Sequence, residues 1–355
     1  MELRVQAISL HPVGGSIPDV GNRSRRWTER HGQIVALDDG NTLGYGEASP
    51  LPGYSDESLA IVRSELHELR SLLPIPLSTE RPLEPPAEVA EVLHSAASQF
   101  AFATAAIDLI GKSTGKSAAE LLRGSKAPTT PITTTCLVDT ESLDSATTMA
   151  AAASASGVRA IKLKIGVALD REISIIAAIR RVCPTIEIRV DANQGIPEAE
   201  LAPRLAALAD AGVDLIEEPC APNTVASVAT TVPIALDETL RHPDGLAIAE
   251  TLADQGSLGA LVIKPAVLGW LTTSMRWARV AERLSVPVIV SHLFDGPVAM
   301  AMYSELARGL SCTRPQGLSR HPALAAYPAA ALPRLGETSI GPATEPGLGL
   351  GRHPW

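Results

Sequence analysis

The first hundred residues alternate between extended and helical patterns. Polar and apolar positions alternate in "LRVQAISLHPV" and in "GQIVALDDGNTLGYGEA", whose Asp-Gly-Asn centre predicts a hairpin turn. The segments "SDESLAIVRSELHELRSLL" and "AEVAEVLHSAASQFAFATAAIDLIGKSTG" have helical periodicity, and the Pro-rich stretch "PIPLSTERPLEPP" separates them. This region therefore predicts an α+β module.

From about residue 130, short apolar runs alternate with alanine-rich helical segments, which is the pattern of repeated βα units. The seven runs are "ITTTCLV", "AIKLKIG", "EIRVDAN", "DLIEEP", "IALDET", "ALVIKP" and "PVIVSHL". Seven such units in a row favour a barrel over an open sheet. We predict an α/β fold: a modified (β/α)7β TIM-like barrel over residues 106–321, with an N-terminal α+β capping domain over 1–105 that the C-terminal tail, 322–355, completes.

Composition narrows the kind of ligand. The chain has 355 residues, a net charge of −9, 45% hydrophobic residues and 19% charged residues. Nucleic-acid surfaces and polybasic membrane contacts need clustered Lys and Arg, so the acidic balance argues against both. We therefore expect a small-molecule partner, while the oligomeric state stays open.

The cysteines and the N-terminal segment favour a cytoplasmic protein. Cys136, Cys183, Cys220 and Cys312 are widely spaced without a C-x-x-C pair, so they indicate neither a zinc cluster nor a disulfide framework. "MELRVQAISLHPV" lacks the apolar core of a signal peptide, and no run approaches the ~18 apolar residues of a membrane-spanning helix. We expect reduced thiols and a cytoplasmic location.

Ionisable and polar residues cluster where the predicted barrel strands end. Parallel barrels build their active sites at this end. The residues are Lys162, Lys164, Asp191, Asn193, Glu217, Glu218, Asp237, Glu238, Lys264, Ser291 and His292. Each signal is weak when taken singly, but agreement over six consecutive strands predicts one shared site.

Three acids from successive strands, Asp191, Glu217 and Asp237, should converge in such a barrel. Side-chain alternation along a strand also places Arg189 and Asn193 on the same face as Asp191. Three neighbouring carboxylates repel one another unless a cation lies between them. Oxygen ligands with positions left for water and substrate suit Mg²⁺, with Mn²⁺ as the alternative.

Two lysines should flank a substrate resting on that metal. Lys164 and Lys264 come from opposite sides of the predicted barrel, and Lys162 shares a face with Lys164. A second ammonium, a nearby metal ion and partial burial all lower the pKa of Lys164 towards neutrality, so that it can act as a base. The chemistry implied is abstraction of a proton α to a carboxylate, with cations stabilising the negative charge that develops.

These motifs resemble the muconate-lactonising subgroup of the enolase superfamily, and within it the o-succinylbenzoate synthases of menaquinone biosynthesis. The resemblance covers nearly the whole chain and rests on "KLK" (162–164), "DAN" (191–193), "EEP" (217–219), "DET" (237–239), "IKP" (263–265) and the closing "PGLGLG". Sites of this superfamily use a Lys or His base with Mg²⁺ stabilising an enediolate. The resemblance implies a lyase in which Asp191, Glu217 and Asp237 bind the metal, Lys164 is the base and Lys264 faces it.

The reaction implied is dehydration of 2-succinyl-6-hydroxy-2,4-cyclohexadiene-1-carboxylate. Lys164 would remove the α proton and then protonate the departing hydroxyl, while Lys264 would stabilise the enediolate. The segment "GYGEASPLPGYSDESL" (44–59) is similar to one in the synthases, and "NRSRRWTERHG" (22–32) is similar to their capping loop. The substrate contacts that we predict are Lys162, Arg189, Asn193, Ser291 and Arg26, with Arg25 and Arg30 as further candidates for a succinyl carboxylate.

One departure weakens the assignment of the substrate. Many relatives carry a Ser-x-x-Glu-Ser-like segment after the seventh strand, where this chain has "SHLFDGP", with Phe294 and Asp295. The nearest alternative is an N-acylamino acid racemase or dipeptide epimerase, in which Lys164 and Lys264 exchange a proton on opposite faces of the α carbon. Muconate-type cycloisomerisation is more distant, and a non-catalytic, anion-binding barrel would leave the charged set without a purpose.

Overall fold

The structure is a computed structural model, and it describes residues 2–21, 25–228, 230–327, 336 and 338–351. Two predicted segments are only partly covered. Residues 22–24 of the capping loop lie outside the described residues, as do residues 328–335, 337 and 352–355 of the tail. No helix in the described part of the chain combines the length and apolar character needed to span a bilayer.

The N-terminal module is a three-stranded antiparallel sheet with helices and a separate strand pair. Its strands are β1 (Glu2–Val5), β2 (Ala7–Gly21), β3 (Arg26–Asp38), β4 (Leu43–Ala48) and β5 (Ile75–Ser78). Its helices are α1 (Leu59–Glu68), α2 (Ala87–Ala90), α3 (Ala96–Thr114) and α4 (Ala118–Arg123). The predicted turn between β3 and β4 is confirmed, and Gly40 there has a φ of 91°, which glycine adopts without strain.

Helix α3 packs closely on β4 and joins the two modules. Gly44 and Gly46 of β4 allow this approach, because a Cβ on Gly46 would lie 1.9 Å from the carbonyl oxygen of Ala101. The predicted single helix over 87–115 is instead two, because α2 ends at Ala90 and α3 begins at Ala96. Ser95, directly before α3, donates its hydroxyl to Glu65 of α1. The predicted domain boundary at residue 105 falls inside α3.

The barrel contains seven parallel strands in sequential order, as the repeating pattern predicted. They are β7 (Cys136–Val138), β8 (Ala160–Lys164), β9 (Glu187–Asp191), β10 (Leu215–Glu217), β11 (Ile234–Leu236), β12 (Leu258–Ile263) and β13 (Val288–Val290). The helices are α5 (Leu143–Ala155), α6 (Leu169–Val182), α7 (Leu201–Asp210), α8 (Pro222–Val225), α9 (Gly245–Asp254), α10 (Pro265–Leu268), α11 (Leu271–Arg283) and α12 (Pro297–Gly309). Single 3₁₀ turns lie at Leu69–Leu72, Glu198–Glu200, Glu238–Arg241 and Pro322–Ala326.

The gap between β7 and β13 is closed by a short irregular segment around Gln316. Bridges join Thr134 to Gln316 and Ser291 to Gly317. The buried Gln316 side chain also accepts a hydrogen bond from the Val290 backbone at 2.7 Å. This segment takes the place of an eighth strand.

The tail returns to the N-terminal half of the chain. Strand β14 (Ser339–Ile340) pairs with β6 (Ile132–Thr133), and the Leu348 backbone donates to Asp108 of α3 at 2.8 Å. Inside the barrel, an apolar cluster lies beneath the strand ends; its members are Leu215, Ala235, Ala260, Val262 and Ile289. This apolar cluster lies between the two ends of the barrel.

Candidate active site

The barrel mouth, meaning the C-terminal ends of β7–β13, gathers the predicted charged residues. Lys164, Asp191 and Glu217 are in register at the ends of β8, β9 and β10. Asp237 and Lys264 follow directly after β11 and β12. The two lysines predicted to be catalytic and the three acids predicted to bind a metal therefore lie at the same end of one parallel sheet.

Lys162 joins two of the acids. Its amine lies 2.9 Å from Asp191 Oδ2 and 2.8 Å from Glu217 Oε2. Burial would lower the pKa of Lys162, but the charges of Asp191 and Glu217 prevail and raise it above its usual value. Lys162 is therefore a permanent cation that holds the two carboxylates together.

The pKa of Lys164 is shifted in the opposite direction from that of Lys162. Burial lowers the pKa of its amine to about 8, the nearby cations Lys162 and Lys264 add to this effect, and Asp191 opposes it. The amine donates to the carbonyl oxygen of Gly21 at 2.9 Å, at the end of β2. The end of β2, which leads into the predicted capping loop, therefore lies at the barrel mouth.

Lys264 is buried and pairs with Asp237. Its amine also donates to the hydroxyl of Tyr54 at 2.9 Å, and that hydroxyl lies 3.2 Å from Glu238 Oε1. Burial lowers the pKa of Lys264, but Asp237 and other neighbouring acids outweigh it and the net pKa is well raised. Lys264 thus stays an ammonium at neutral pH.

Glu218 supports the segment that carries Asp237. It is fully buried and accepts hydrogen bonds from the backbones of Asp237 and Thr239 at 2.7 and 2.8 Å, and from the Thr239 hydroxyl at 2.9 Å. Burial, reinforced by the charge of Glu238, raises the pKa of Glu218 to about 7. The three contacts fix the turn after β11 and with it the direction of the Asp237 side chain.

The oxygen atoms at the barrel mouth fit a divalent cation chemically. Glu217 Oε1 and Asn193 Oδ1 are buried and have no hydrogen-bond partner among the described residues. Such orphan oxygens are costly unless a ligand satisfies them, and an all-oxygen set suits Mg²⁺ or Mn²⁺. Within the described ranges no three acidic, His or Cys side chains are grouped closely enough to hold a metal ion. Lys162 bonds Asp191 and Glu217 here, and Lys264 bonds Asp237.

The structure does not bring two of the predicted arginines to this site. Arg189 turns towards the N-terminal end of β9, where its guanidinium bonds Glu187 at 3.0 Å and the Pro315 carbonyl at 2.7 Å. Arg30 is 1% exposed and is bonded to the Asp295 carboxylate at 2.9 Å. Both prefer internal partners, because a buried guanidinium needs several acceptors.

Arg26 and Arg25 remain on the surface of the N-terminal module. Arg26 is paired with Gly21 in the β2–β3 hairpin and makes an exposed ion pair with Asp19 at 2.6 Å. Arg25 donates to the carbonyl of Pro52 at 2.9 Å. Arg26 therefore borders the strand end that meets Lys164, and its contact with substrate stays a prediction.

The loop after β13 is built around an ion pair that links the two modules. Arg30 Nη2 lies 2.9 Å from Asp295 Oδ1, and the guanidinium also donates to the carbonyls of Ser49, Pro50, Leu293 and Phe294. Asp295 Oδ2 accepts from Tyr303 at 2.8 Å. Asp295 is thus a structural partner of Arg30.

Ser291 and His292 lie at the start of the same loop. The Ser291 hydroxyl donates to the Gly317 carbonyl at 3.4 Å. His292 Nδ1 accepts from the Phe294 backbone at 3.1 Å, and its ring lies 4.2 Å from that of His321. Burial and the nearby lysines lower the pKa of His292 to about 3, so its imidazole is neutral.

Two residues at the mouth were not singled out from the sequence. The sequence around Tyr54 is rich in Gly and Pro and does not indicate a role for its side chain. Leu137 is 48% exposed although it lies in a barrel strand, and it is in register with Lys162, so both side chains face the same way. Strand alternation could have identified Leu137 as an apolar wall of the mouth.

Comparison with known proteins identifies the family. Residues 144–352 match the family described as Enolase C-terminal domain-like, and residues 18–74 match the MenC N-terminal domain. An o-succinylbenzoate synthase from Geobacillus kaustophilus is 29% identical over 279 residues, which are 76% of this chain and 71% of that protein.

Solved structures show the same fold. A muconate lactonizing enzyme from Pseudomonas fluorescens superposes with a TM-score of 0.82 at 20% identity, covering 98% of this chain and 96% of that one. A dipeptide epimerase from Enterococcus faecalis, solved with Mg and L-Leu-L-Tyr, gives 0.80 at 17% identity, covering 99% and 100%. The barrel match alone spans more than half of the sequence, which confirms the resemblance: this chain belongs to the enolase superfamily and is an enzyme of that group.

Proposed function

We propose that this enzyme is an o-succinylbenzoate synthase, a hydro-lyase of menaquinone biosynthesis. The observation that carries the proposal is Lys164, a partly buried amine at the barrel mouth whose pKa is lowered to about 8, with Lys264 directly after β12 across the barrel. The match of residues 18–74 to the MenC N-terminal domain, and the Geobacillus relative, favour this reaction over others on the same fold.

In the first step, neutral Lys164 takes the proton from the carbon next to the ring carboxylate. The electron pair of the broken C–H bond moves into the carboxylate to give an enediolate. The ammonium of Lys264 faces this charge and stabilises it, which is the electrostatic effect that usually contributes most to catalysis. Lys162 keeps Asp191 and Glu217 in place beside it.

In the second step, the Lys164 ammonium returns its proton to the departing hydroxyl. The ring C–O bond breaks, the enediolate electrons form the new ring double bond, and water leaves with an aromatic acid as product. One lysine can serve both steps if the proton and the hydroxyl lie on the same face of the ring. No oxidant or further reactant is needed.

Asp191, Glu217 and Asp237 would hold the divalent cation, Mg²⁺ or Mn²⁺, which supplies positive charge to the substrate carboxylate and makes its α proton more acidic. The remaining contacts that we propose are polar at Asn193, Ser291 and Arg26 and apolar at Leu137. The half-exposed Leu137 side chain suits a carbocyclic ring better than a charged group.

The test is turnover of the diene by the purified protein with Mg²⁺, followed by loss of diene absorbance and formation of the aromatic acid. Lys164→Ala should lower kcat by at least about a thousandfold, within the range for loss of a general base. The matched control is Lys126→Ala, since Lys126 is an exposed lysine outside the barrel mouth and should keep wild-type activity. Absence of the aromatic product with wild-type protein would refute the proposal.

A racemase or epimerase of N-acylamino acids or dipeptides is the second candidate. Lys164 and Lys264 on facing strands could exchange a proton on opposite faces of an α carbon, and a dipeptide epimerase shares the fold. In D₂O this activity would introduce deuterium at the α carbon without loss of water. Exchange on acylamino acids, together with no dehydration of the diene, would favour the epimerase.

A further inference from the structure

Tyr54 belongs to the N-terminal module, but its side chain is held by the barrel. It lies in the loop Leu51–Ser55 that follows β4. Its hydroxyl is 2.9 Å from the Lys264 amine and 3.2 Å from Glu238 Oε1, and the guanidinium of Arg241 lies 5.2 Å from its ring centre. Three barrel residues from two segments therefore contact this one side chain.

The direction of each hydrogen bond follows from the chemistry of the groups. The Tyr54 hydroxyl donates its single proton to Glu238 Oε1. The hydroxyl oxygen then accepts from the Lys264 ammonium. Burial raises the pKa of Tyr54 well above that of a free phenol, which keeps this arrangement intact at neutral pH.

These contacts determine where Lys264 can point. A lysine ammonium has three N–H groups. One is directed to Asp237 and one to Tyr54, which leaves one for a ligand in the barrel mouth. Two acceptors at fixed positions hold the Nζ atom in one place, and the third N–H then has a single direction. With Asp237 as the single acceptor, rotation of the side-chain torsions would let the amine swing around the carboxylate.

We propose that Tyr54 is a positioning residue that orients the Lys264 ammonium towards the substrate. The inference rests on the role of Lys264 in the proposed function. It makes the loop Leu51–Ser55 part of the active site, so that Lys264 has its working orientation only while this loop is docked on the barrel. Trp27 helps to dock the loop, since its indole nitrogen donates to the Pro52 carbonyl at 3.0 Å.

The test compares Tyr54→Phe with Tyr327→Phe. Tyr54→Phe removes only the hydroxyl and keeps the ring against Arg241. We expect kcat to fall roughly 10- to 100-fold, as for a misplaced reacting group, while KM changes less than about twofold and Tm is unchanged. Tyr327 is buried and its hydroxyl has no hydrogen-bond partner among the described residues, so Tyr327→Phe makes the same chemical change without removing a bond to Lys264. It should keep wild-type kcat.

Two results would overturn the inference: Tyr54→Phe keeping kcat within twofold of wild type, or Tyr327→Phe showing the same loss as Tyr54→Phe. A wild-type protein that is inactive on the diene would contradict the proposed function instead. Crystal structures of the wild type and Tyr54→Phe then decide on positioning. A displacement of the Lys264 amine by about 1 Å or more supports it, and an unmoved amine overturns it.

Discussion

The buried ion pair between Arg30 and Asp295 makes a strong prediction about stability. Its two side chains are 0% and 1% exposed, and 265 residues of sequence separate them. Asp295→Asn preserves the shape of the side chain and removes its charge, which leaves the Arg30 guanidinium without a counter-ion. Breaking a buried pair in this way costs about 3–5 kcal/mol.

The expected change in melting temperature follows from chain length. An unfolding entropy of about 2.1 cal/mol/K per residue gives about 0.75 kcal/mol/K for 355 residues. A loss of about 3–5 kcal/mol therefore lowers Tm by about 4–7 °C. Differential scanning calorimetry measures Tm, and urea titration gives the change in the free energy of unfolding independently.

An exposed pair with the same separation is the matched control. Arg81 and Glu84 also lie 2.9 Å apart, but their side chains are 71% and 58% exposed. Glu84→Gln should change the free energy of unfolding by less than about 1 kcal/mol, because solvent screens the pair. The double replacement of Arg30 by Met and Asp295 by Leu should recover much of the stability that either single change loses. The reasoning fails if Asp295→Asn shifts Tm no more than Glu84→Gln does.

Three further predictions concern the active site and the fold. Because the reaction needs the neutral amine of Lys164, kcat/KM should rise about tenfold per pH unit below its pKa of about 8 and level off above it; a flat profile between pH 6 and 8 would contradict this role. Chelation with EDTA should abolish turnover and added Mg²⁺ should restore it, whereas full activity after exhaustive chelation would rule out the metal. Glu217→Gln should raise the Mg²⁺ concentration for half-maximal activity at least about tenfold. Gly46→Ala should lower the free energy of unfolding by about 1–3 kcal/mol in urea titrations, because its Cβ would lie 1.9 Å from the Ala101 carbonyl oxygen. Gly15→Ala is the control: nothing lies within 4 Å of its Cβ, so the free energy of unfolding should change by no more than about 0.5 kcal/mol. Equal effects of the two changes would contradict the packing argument.

Local patterns in the sequence carried enough information to predict the barrel and the charged residues at its mouth. Each βα unit has its own apolar strand and turn, and the charged residues end these strands, so their shared position follows from parallel topology alone. The extents of β2 and β3 were harder to predict. Gly14, Gly15 and the prolines of "HPVGGSIPDV" are typical of a loop, yet β2 continues to Gly21 because it pairs with β3 from Ala7 to Ser16 and again at Val20 and Gly21.

Contacts between the modules could not be predicted from local patterns. Tyr54 and Lys264 are separated by 210 residues, and Arg30 and Asp295 by 265. An arginine on a predicted surface loop has the same local pattern whether it meets solvent, substrate or a buried acid. The packing of two complete modules decides between these, which is why Arg30, a candidate for a substrate carboxylate, has an internal partner instead. Arg189 was predicted as a substrate contact because it shares a face with Asp191, yet its guanidinium bonds Glu187 and the Pro315 carbonyl.

The closure of the barrel at Gln316 has a consequence for synthesis of the chain. Strands β7 and β13 keep unpaired backbone groups along their outer edges until residues 315–317 arrive. A ribosome has by then made nearly nine-tenths of the polypeptide, so the growing sheet keeps two open edges, which can pair with other chains, until late in translation. A stop codon shortly before Gln316 would therefore yield a protein prone to aggregation, although every residue predicted to perform catalysis would be present.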